Sequence, residues 1–340
     1  MGNLSYYWYI AASSSQLARG PIRRSIHGRH LALFRQATGK PAALIDRCAH
    51  RNMALSQGSV VGEAIECCYH GWRYDADGTC VHIPSIGTTE QLPGICIQAF
   101  PVTEHDGFVW VYLGDGVPAQ GPFRFPHYDE SGWISFTMQT RFEAGVEACL
   151  ENFLDCPHTV FVHQGWFRTS KAKAFTARVQ RFSDRAIAEF INEPISLSLV
   201  SRLLFPSKEP LQHTDQFIMP SISRVDYRFG DRRHFIITSQ CTPISDAETI
   251  VYTVISYRFP PFGGLVRLVF EPLCRTIIRQ DIKILRAQTE NIRRFGGPSF
   301  TSIKTDVLGP HIQWLRRHAA GPEAAPKETS PLTYEVPICF

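Results

Sequence analysis

The chain lacks the features that mark membrane proteins and disulfide-rich secreted proteins. Ten cysteines in 340 residues are too few for a disulfide scaffold. No apolar run reaches the length of about 18 residues that a membrane-spanning helix needs. The first twenty residues contain neither a basic segment nor a long aliphatic core, so we expect no signal peptide. These absences predict a cytoplasmic protein without an integral membrane segment, whose thiols are free or metal-bound.

An excess of one charge and the common nucleotide-binding motifs are also missing. The 35 basic and 31 acidic residues leave a formal net charge of +4, without the clustered basic face that is typical of nucleic-acid binding. We find no G-x-G-x-x-G after a strand, no Walker A motif and no G-x-S-x-G. We therefore expect no nucleic-acid partner. Reducing equivalents from NAD(P)H would have to reach this chain through another protein.

The residues that are present indicate two domains, as the length of 340 residues suggests. Residues 1–120 contain short apolar or alternating runs separated by Gly- and Asp-containing turns, a pattern typical of an all-β domain. A segment rich in Pro and Gly, residues 114–132, marks the boundary. Residues 121–320 alternate predicted strands and helices, which favours an α+β arrangement. We expect residues 321–340 to form an extended or loosely ordered C-terminal tail.

Two matched pairs of potential metal ligands lie in the first domain. Cys48 and His50 form one pair, and Cys67 and His70 form the other. Structural zinc sites usually take Cys in C-x₂₋₄-C pairs and His in H-x₃₋₅-H pairs, whereas each pair here mixes the two residue types. Mixed pairs favour a [2Fe-2S] cluster in which one iron binds both thiolates and the other binds both imidazoles. Cys68 lies outside this spacing, and we interpret it as a buried neighbour.

A second set of potential ligands lies in "ENFLDCPHTVFVH", which ends at His163. Two His and one carboxylate on Fe(II) leave coordination positions open for O₂. His158 and His163 are five residues apart, or about 140° around a regular helix, so we predict a broken or bulged helix near Pro157. Asp155 precedes His158 by three residues, and its carboxylate can accept the second N–H of that imidazole.

The third ligand is expected to be a carboxylate far downstream. The segment "IIRQDIKILRAQTENIRR" offers Asp281 and Glu290. Spacing alone does not decide between them.

Both ligand sets resemble those of the Rieske non-haem iron oxygenases, the family of aromatic-ring-hydroxylating oxygenase α subunits. The stretches "CAHRNMALSQG" and "CCYHGWRYDADGTC" are similar to its two cluster loops, and the second set resembles its N-x-x-D-x-x-H-x-x-x-x-H motif. The resemblance implies an all-β Rieske [2Fe-2S] domain followed by a helix-grip-like antiparallel sheet domain that holds mononuclear Fe(II). It also favours Asp281 over Glu290, because "DIKILRAQ" is similar to the family's ligand context at the head of a helix.

The resemblance further implies an oxygenase component that uses O₂ and receives electrons from a separate reductase, directly or through a ferredoxin. In the branch that this chain resembles, oxygenases are homotrimers, and monooxygenation or demethylation is favoured over dihydroxylation. Asp155 is then expected to connect His70 of one subunit with His158 of the next. An electron-transfer protein without its own oxygenation chemistry is the alternative.

The substrate is expected to be a hydrophobic, cyclic small molecule, since apolar residues surround the second ligand set. The candidate pocket residues are Val146, Leu150, Phe153 and Phe161. An apolar stretch at residues 195–205 is a further candidate for the pocket lining.

Overall fold

The structure, a computed structural model, divides into two compact units. One comprises Ser5–Arg124 with Thr242–Ser245, and the other comprises Phe125–Cys241 and Asp246–Phe340 with the first four residues. None of the helices within the described ranges has the length and apolar character that a membrane crossing requires. The described residues are 4–86, 91–163, 174–193, 211–259, 263–319 and 331–339.

The unit that begins at Ser5 is built almost entirely from short antiparallel strands. They form three sheets with the orders β1-β11-β10, β2-β3-β4-β9 and β5-β6-β7-β8. A short helix α1 (Ser14–Leu17) and two 3₁₀ turns (Leu4–Tyr6 and Leu55–Gln57) accompany them. The strands are β1 (Trp8–Ser13), β2 (Ile22–Ile26), β3 (Arg29–Arg35), β4 (Pro41–Ile45), β5 (Ser59–Val61), β6 (Ala64–Glu66), β7 (Arg73–Tyr74), β8 (Cys80–His82), β9 (Ala99–Phe100), β10 (Val102–His105) and β11 (Phe108–Tyr112).

The sequence "FVWVY" of β11 shows why this unit folds as it does. All five of its residues are buried, because β11 is the central strand of its sheet and has neighbours on both edges. Val109 and Val111 pack in one cluster with Leu31 and Leu33 of β3, on the alternate positions that a strand directs to one face. The all-β character predicted for this part of the chain is confirmed.

The other unit is organised around one eight-stranded sheet with the order β12-β18-β17-β16-β15-β14-β13-β19. Neighbouring strands pair antiparallel, as in the hairpin in which Leu211 faces Phe229. The strands are β12 (Ile134–Phe142), β13 (Ala174–Arg181), β14 (Arg185–Ile191), β15 (Leu211–Ile218), β16 (Ile222–Phe229), β17 (Arg233–Ser245), β18 (Glu248–Arg258) and β19 (Leu332–Cys339). The helices are α2 (Val146–Leu154), α3 (His158–Val162), α4 (Gly263–Arg294) and α5 (Gly309–Arg317).

The helices of this unit are held by one hydrophobic cluster that they share with the sheet. Leu150 of α2, Leu285 of α4 and Ile312 of α5 all join it, together with Val179 and Phe217 from the strands. Burial of side chains of this size stabilises a protein by about 1.5–3 kcal/mol each relative to exposure. The cluster therefore fixes α2, which precedes the two histidines of the second ligand set in the chain, and α4, which carries Asp281.

The C-terminal segment differs from the prediction. Residues 332–339 are an edge strand of the large sheet, in which Phe175 of β13 pairs with Ile338 of β19. Val336 and Ile338 are buried, on alternate positions that face the core. The loosely ordered tail predicted from residue 321 is thus corrected for this part: its last residues complete the sheet.

Candidate metal centres and cavity

The two cluster loops have nearly the same backbone shape. The N–H of Cys48 donates to the carbonyl of Met53 (2.8 Å), and the N–H of Cys67 donates to that of Trp72 (2.8 Å). In each loop the fourth residue after the cysteine then donates back to the cysteine carbonyl, at 3.0 Å. These fourth residues, Asn52 and Gly71, both have the positive φ that such a tight turn requires. The repeated hydrogen bonds present one Cys and one His from each loop in the same way.

Burial separates the ligands by residue type. Cys48 and Cys67 are 1% and 2% exposed, whereas His50 is partly exposed and His70 is exposed. The imidazole rings of His50 and His70 lie 4.4 Å apart between centroids. Two inner thiols and two outer imidazoles match the donor arrangement of a cluster whose histidine-bound iron is nearest to solvent.

Several features of the loops fit a [2Fe-2S] cluster. The Nδ1 atom of His50 is buried and has no hydrogen-bond partner among the described residues, as expected for an atom kept for a metal. The hydroxyl of Tyr74 lies 3.3 Å from Sγ of Cys48 and accepts a hydrogen bond from the N–H of Ala49. A metal-bound Cys48 thiolate has no proton to donate, so the Tyr74 hydroxyl would be the donor in this contact. Trp72 stacks on His50 at 4.7 Å and fixes the plane of that ring.

Cys68 is exposed rather than buried as predicted. Its neighbour Cys67 is buried, and the chain turns directly after Cys67, which leaves Cys68 on the surface of the loop. Cys68 therefore lies outside the ligand set, as its spacing indicated.

The predicted break near Pro157 is confirmed. Helix α2 ends at Leu154, residues 155–157 leave the helical path, and α3 begins at His158. Because of this break the rings of His158 and His163 are brought to 5.2 Å between centroids, with planes at 77° to each other. On an unbroken helix the same two rings would point in different directions.

Asp281 completes this second set. Its Oδ1 lies 3.1 Å from Nε2 of His163 and 3.8 Å from Nε2 of His158. One ligand atom from each of the three residues lies within 4.8 Å of the others. Two imidazole nitrogens and a carboxylate at this separation have the composition of the facial triad that binds non-haem Fe(II).

The outer nitrogens of both imidazoles are occupied, which turns the inner nitrogens toward Asp281. Nδ1 of His163 donates to Oε1 of Gln280 at 2.8 Å. Nδ1 of His158 donates to the backbone carbonyl of Asp155. Such partners fix the tautomer and the ring orientation of metal-binding histidines. The role of Gln280 was not predicted, because it depends on a contact across 117 residues of sequence.

The position of Asp281 within its helix differs from the expectation. We expected it at the head of a helix, but it lies well inside α4, which begins at Gly263. Glu290, the alternative ligand, lies on the exposed side of α4 and accepts a hydrogen bond from Arg286 at 3.0 Å. Only Asp281 lies on the face of α4 that is directed at α3.

The triad also fits a metal by its own chemistry. Oδ1 of Asp281 is buried without a hydrogen-bond partner among the described residues. A buried carboxylate oxygen left without a donor is costly unless a cation binds it. His163 and Asp281 are 3% and 5% exposed, so the residues form an enclosed set rather than a chance surface cluster.

The carboxylate of Asp155 does not make the contact predicted for it. The backbone carbonyl of the same residue takes the His158 proton instead, and the carboxylate oxygen Oδ2 lies 3.8 Å from Nδ1. Its side chain is 44% exposed. The chain leaves helix α2 at this residue, which turns the carbonyl toward His158 and leaves the carboxylate partly exposed.

A cavity of about 180 Å³ adjoins the triad. Its wall is mainly apolar, with a few hydroxyl groups and carboxylates. It is formed by α2, α3, the inner face of the sheet and the first half of α4. The apolar and aromatic lining residues are Met138, Phe153, Val225, Tyr227, Phe235, Ile237, Ile255, Phe270, Ile277 and Ile278.

Of the four pocket residues predicted from the sequence, Phe153 lines this cavity. Val146 and Leu150 belong to the hydrophobic cluster that anchors α2, and Phe161 is 79% exposed. The break at residues 155–157 changes which side of the segment faces inward, and a continuous helical pattern could not reveal this. The stretch 195–205 lies outside the described residues.

Comparison with known proteins gives two family matches. Residues 7–100 match the Rieske [2Fe-2S] domain. Residues 142–321 match the vanillate O-demethylase oxygenase C-terminal domain, and this match covers more than half of the chain. The first match contains both cluster loops, and the second contains the whole triad.

Individual relatives agree with these matches. The chain is 31% identical over 176 residues to a putative toluene-4-sulfonate monooxygenase iron–sulfur subunit of Comamonas testosteroni, which covers 51% of this chain and 50% of that protein. It is 32% identical over 160 residues to the oxygenase component of dicamba O-demethylase from Stenotrophomonas maltophilia, covering 46% and 47%. The chain thus spans about half the length of these relatives.

The fold extends further than the sequence likeness. The crystal structure of dicamba monooxygenase bound to dicamba superposes with a TM-score of 0.79 at 22% identity, covering 93% of this chain and 98% of that one. Over this range the order of a small β unit and a large antiparallel sheet unit is the same.

Proposed function

The chain belongs to the Rieske non-haem iron oxygenases, and from this premise we propose that it is the oxygenase component of a multi-protein system. In this proposal residues 1–120 receive electrons and residues 121–320 carry out the oxygenation. A separate reductase passes on electrons from NAD(P)H, directly or through a ferredoxin, in the cytoplasm. The substrate is a hydrophobic cyclic compound.

The reaction that we propose is monooxygenation, either hydroxylation or demethylation, rather than dihydroxylation. One atom of O₂ enters a C–H bond of the substrate, and the other leaves as water after uptake of two electrons and two protons. The names of the relatives support this choice, since one is a monooxygenase of toluene-4-sulfonate and another is an O-demethylase. Hydroxylation of a methyl group on a heteroatom gives a product that breaks down with loss of formaldehyde, so both outcomes share one step.

The observation that carries the proposal is the convergence of His158, His163 and Asp281 on the wall of an apolar cavity. These residues would hold mononuclear Fe(II), as Cys48, His50, Cys67 and His70 would hold the [2Fe-2S] cluster. When bound, the iron supplies O₂ activation, and the cluster supplies electrons.

The protein's own contribution to this chemistry is orientation and exclusion of water. Gln280 and the carbonyl of Asp155 hold the two imidazoles with Nε2 directed at Asp281. Aromatic and aliphatic side chains such as Phe235, Ile255 and Phe270 keep the neighbouring space apolar, so a hydrophobic substrate can displace water there. The substrate carbon nearest to the triad is the one that is oxidised.

We further propose a homotrimer in which electrons cross a subunit boundary. His70 of one subunit would face Asp155 of the next, and the electron path would lead past His158 to the site that His158, His163 and Asp281 form. This arrangement is supported by the exposure of His70 and by the partial exposure of the Asp155 side chain, which leave both side chains accessible to another subunit. Light scattering on the purified protein gives the subunit number.

Oxygen uptake tests the proposed function. The reconstituted protein is supplied with NADH, a surrogate reductase and ferredoxin, and a panel of hydrophobic cyclic compounds. We expect at least one compound to stimulate O₂ uptake and to yield an oxygenated product. His158→Ala is expected to abolish this uptake, and Glu290→Gln, which alters the alternative carboxylate, is expected to retain it. If His158→Ala keeps full activity in its electron-transfer system, the protein is an electron carrier.

A further inference from the structure

A buried row of charged side chains that does not belong to the metal triad ends at the wall of the cavity. Oδ1 of Asp215 lies 3.0 Å from Nε2 of His213, and Oε2 of Glu193 lies 2.6 Å from Nδ1 of the same ring. Asp215 is 2% exposed and His213 is 1% exposed. Of the three, Asp215 lines the cavity. Neither the resemblance nor the triad assigns a role to this row.

His213 is a cation in this environment. A carboxylate accepts but does not donate hydrogen bonds, so each ring nitrogen facing one carries a proton. Burial lowers the pKa of His213, but Asp215 and Glu193 outweigh it and raise the pKa to about 9. The ring is also stacked between Phe190 (4.4 Å) and Tyr227 (4.2 Å), whose faces attract a cation.

The imidazolium and a thiol hold the Asp215 carboxylate in one position. Sγ of Cys156 donates to Oδ2 at 3.4 Å, while His213 occupies Oδ1. Each carboxylate oxygen has a further acceptor position, because it carries two lone pairs. Within the described ranges Asp215 therefore has unused acceptor capacity, and it cannot swing away from the cavity without breaking both contacts.

Three carboxylates line the cavity, and Asp215 is the buried one outside the triad, since Asp281 belongs to the triad and the side chain of Asp155 is 44% exposed. Val225 and Ile237 lie on the strands beside Asp215, and among the described residues no Lys or Arg lines the space. Charges interact strongly where apolar walls exclude water. A ligand N–H or O–H directed at Asp215 gains a charge-assisted hydrogen bond, whereas an anionic group there is repelled.

We propose that Asp215 is the recognition anchor of the cavity, which selects ring compounds carrying an N–H or O–H donor, neutral or cationic, over aromatic sulfonates and carboxylates. This rests on the proposed function in one respect, namely that the ligand of this cavity is the substrate. His213 and Glu193 act behind Asp215 as positioning residues. The role of Cys156 is to hold the second carboxylate oxygen.

Equilibrium binding to the iron-loaded protein without O₂ tests the anchor. The probes share one ring system and differ in one group: 2-naphthylmethylamine, 2-naphthylmethanol, 2-methylnaphthalene and naphthalene-2-sulfonate. We expect affinity to fall in that order, with the amine binding about tenfold to a hundredfold more tightly than the hydrocarbon and the sulfonate binding most weakly. A sulfonate that binds the unmodified protein as tightly as the amine overturns the proposal.

A conservative substitution tests the negative charge of Asp215 separately from the size of its side chain. Asp215→Asn keeps the size and one acceptor of the side chain, and we expect it to lose most of the preference for the amine while binding 2-methylnaphthalene unchanged. Glu189→Gln, which removes an exposed carboxylate from the neighbouring strand β14, is expected to behave as the unmodified protein. An unchanged order of affinities in a folded Asp215→Asn protein contradicts the proposal, and the probe series decides the question if that variant does not fold.

Binding and turnover separate this inference from the proposed function. If the order of affinities holds but no compound stimulates O₂ uptake, the anchor stands and the oxygenase proposal fails. If the sulfonate is bound as tightly as the amine and is also oxygenated, the proposed oxygenase function is supported and the proposed role of Asp215 is refuted.

Discussion

The two ligand sets of this molecule are built in opposite ways. All four cluster ligands come from one short segment, residues 48–70, whose two loops repeat the same backbone hydrogen bonds. The triad combines His158 at the start of α3 and His163 directly after its end with Asp281, far along the chain in α4. The first set is therefore positioned by local turns. The second set exists only when α2, α3 and α4 are packed together on the sheet.

This difference has a consequence for stability. The two [2Fe-2S] ligand loops are formed by local hydrogen bonds, so they need only the small unit that begins at Ser5 to be folded. By contrast, the triad shares its supports with the hydrophobic cluster that contains Leu150 and Leu285. Substitutions that weaken this hydrophobic cluster are expected to disturb the geometry of the triad and to leave the [2Fe-2S] ligand loops intact. If the two metal sites are independent in this way, a change at one site leaves the other intact.

Ligand removal gives the largest effect. Asp281→Ala removes the only carboxylate of the triad, and we expect iron to fall from about three atoms per chain to about two, with the visible spectrum of the cluster retained. Cys67→Ala is the matched change in the other set, and we expect it to abolish that spectrum while the mononuclear iron remains. Elemental analysis and absorption spectra measure both. Loss of both metals in either variant contradicts the independence of the two sites.

Core truncation in α2 comes next. Leu150→Ala is expected to lower the free energy of unfolding by about 2–5 kcal/mol, because it removes buried methyl groups and leaves a cavity. Phe161→Ala, at an exposed position on α3, is expected to change it by less than about 0.5 kcal/mol. Urea denaturation followed by circular dichroism compares the two. Equal effects would show that the placement of these side chains is wrong.

The buried ion pairs of His213 with Asp215 and Glu193 are expected to make the free energy of unfolding depend on pH. The pKa of His213 is raised from an ordinary value of 6.5 to about 9, so its contribution is complete below pH 6.5 and is lost as pH rises through 9. The shift corresponds to on the order of 3 kcal/mol. We expect the free energy of unfolding to fall over this interval in the natural protein and to fall less in His213→Gln. If the free energy of unfolding depends on pH in the same way in the two proteins, the ion pairs of His213 do not contribute to stability.

The support of His163 is expected to have a smaller effect. Gln280→Ala removes the acceptor for Nδ1, and we expect iron affinity to weaken about tenfold to a hundredfold. Gln280→Glu keeps an acceptor and is expected to bind iron at least as tightly as the natural protein. Competition with a chelator measures the dissociation constant for iron in each protein. Equal constants in all three proteins would show that Gln280 does not support iron binding.

The smallest effect concerns the cluster loops. Tyr74→Phe removes the hydroxyl beside Cys48, and we expect the cluster potential to fall by on the order of 50 mV, or about 1 kcal/mol for a one-electron couple. A redox titration followed by absorption spectra measures this shift. Iron binding at the triad is expected to be unchanged, and a changed triad would contradict the separation of the two sites.

The same contrast explains what could be predicted from the sequence. The Cys and His spacing of residues 48–70 and the break at Pro157 are local features, and both were predictable. Gln280 and the exposure of Phe161 depend on how α3 faces α4, and no local pattern encodes this. The strand at residues 332–339 was missed for a related reason, since its partner β13 lies about 150 residues earlier in the chain.

Mössbauer spectroscopy of protein reconstituted with ⁵⁷Fe under anaerobic conditions tests the central claim most directly, because it distinguishes cluster iron from mononuclear iron in one sample. We expect about two thirds of the iron to belong to a [2Fe-2S] cluster with unlike iron sites and about one third to be high-spin ferrous and mononuclear. A spectrum in which all bound iron belongs to the cluster would contradict the existence of a second metal centre at His158, His163 and Asp281.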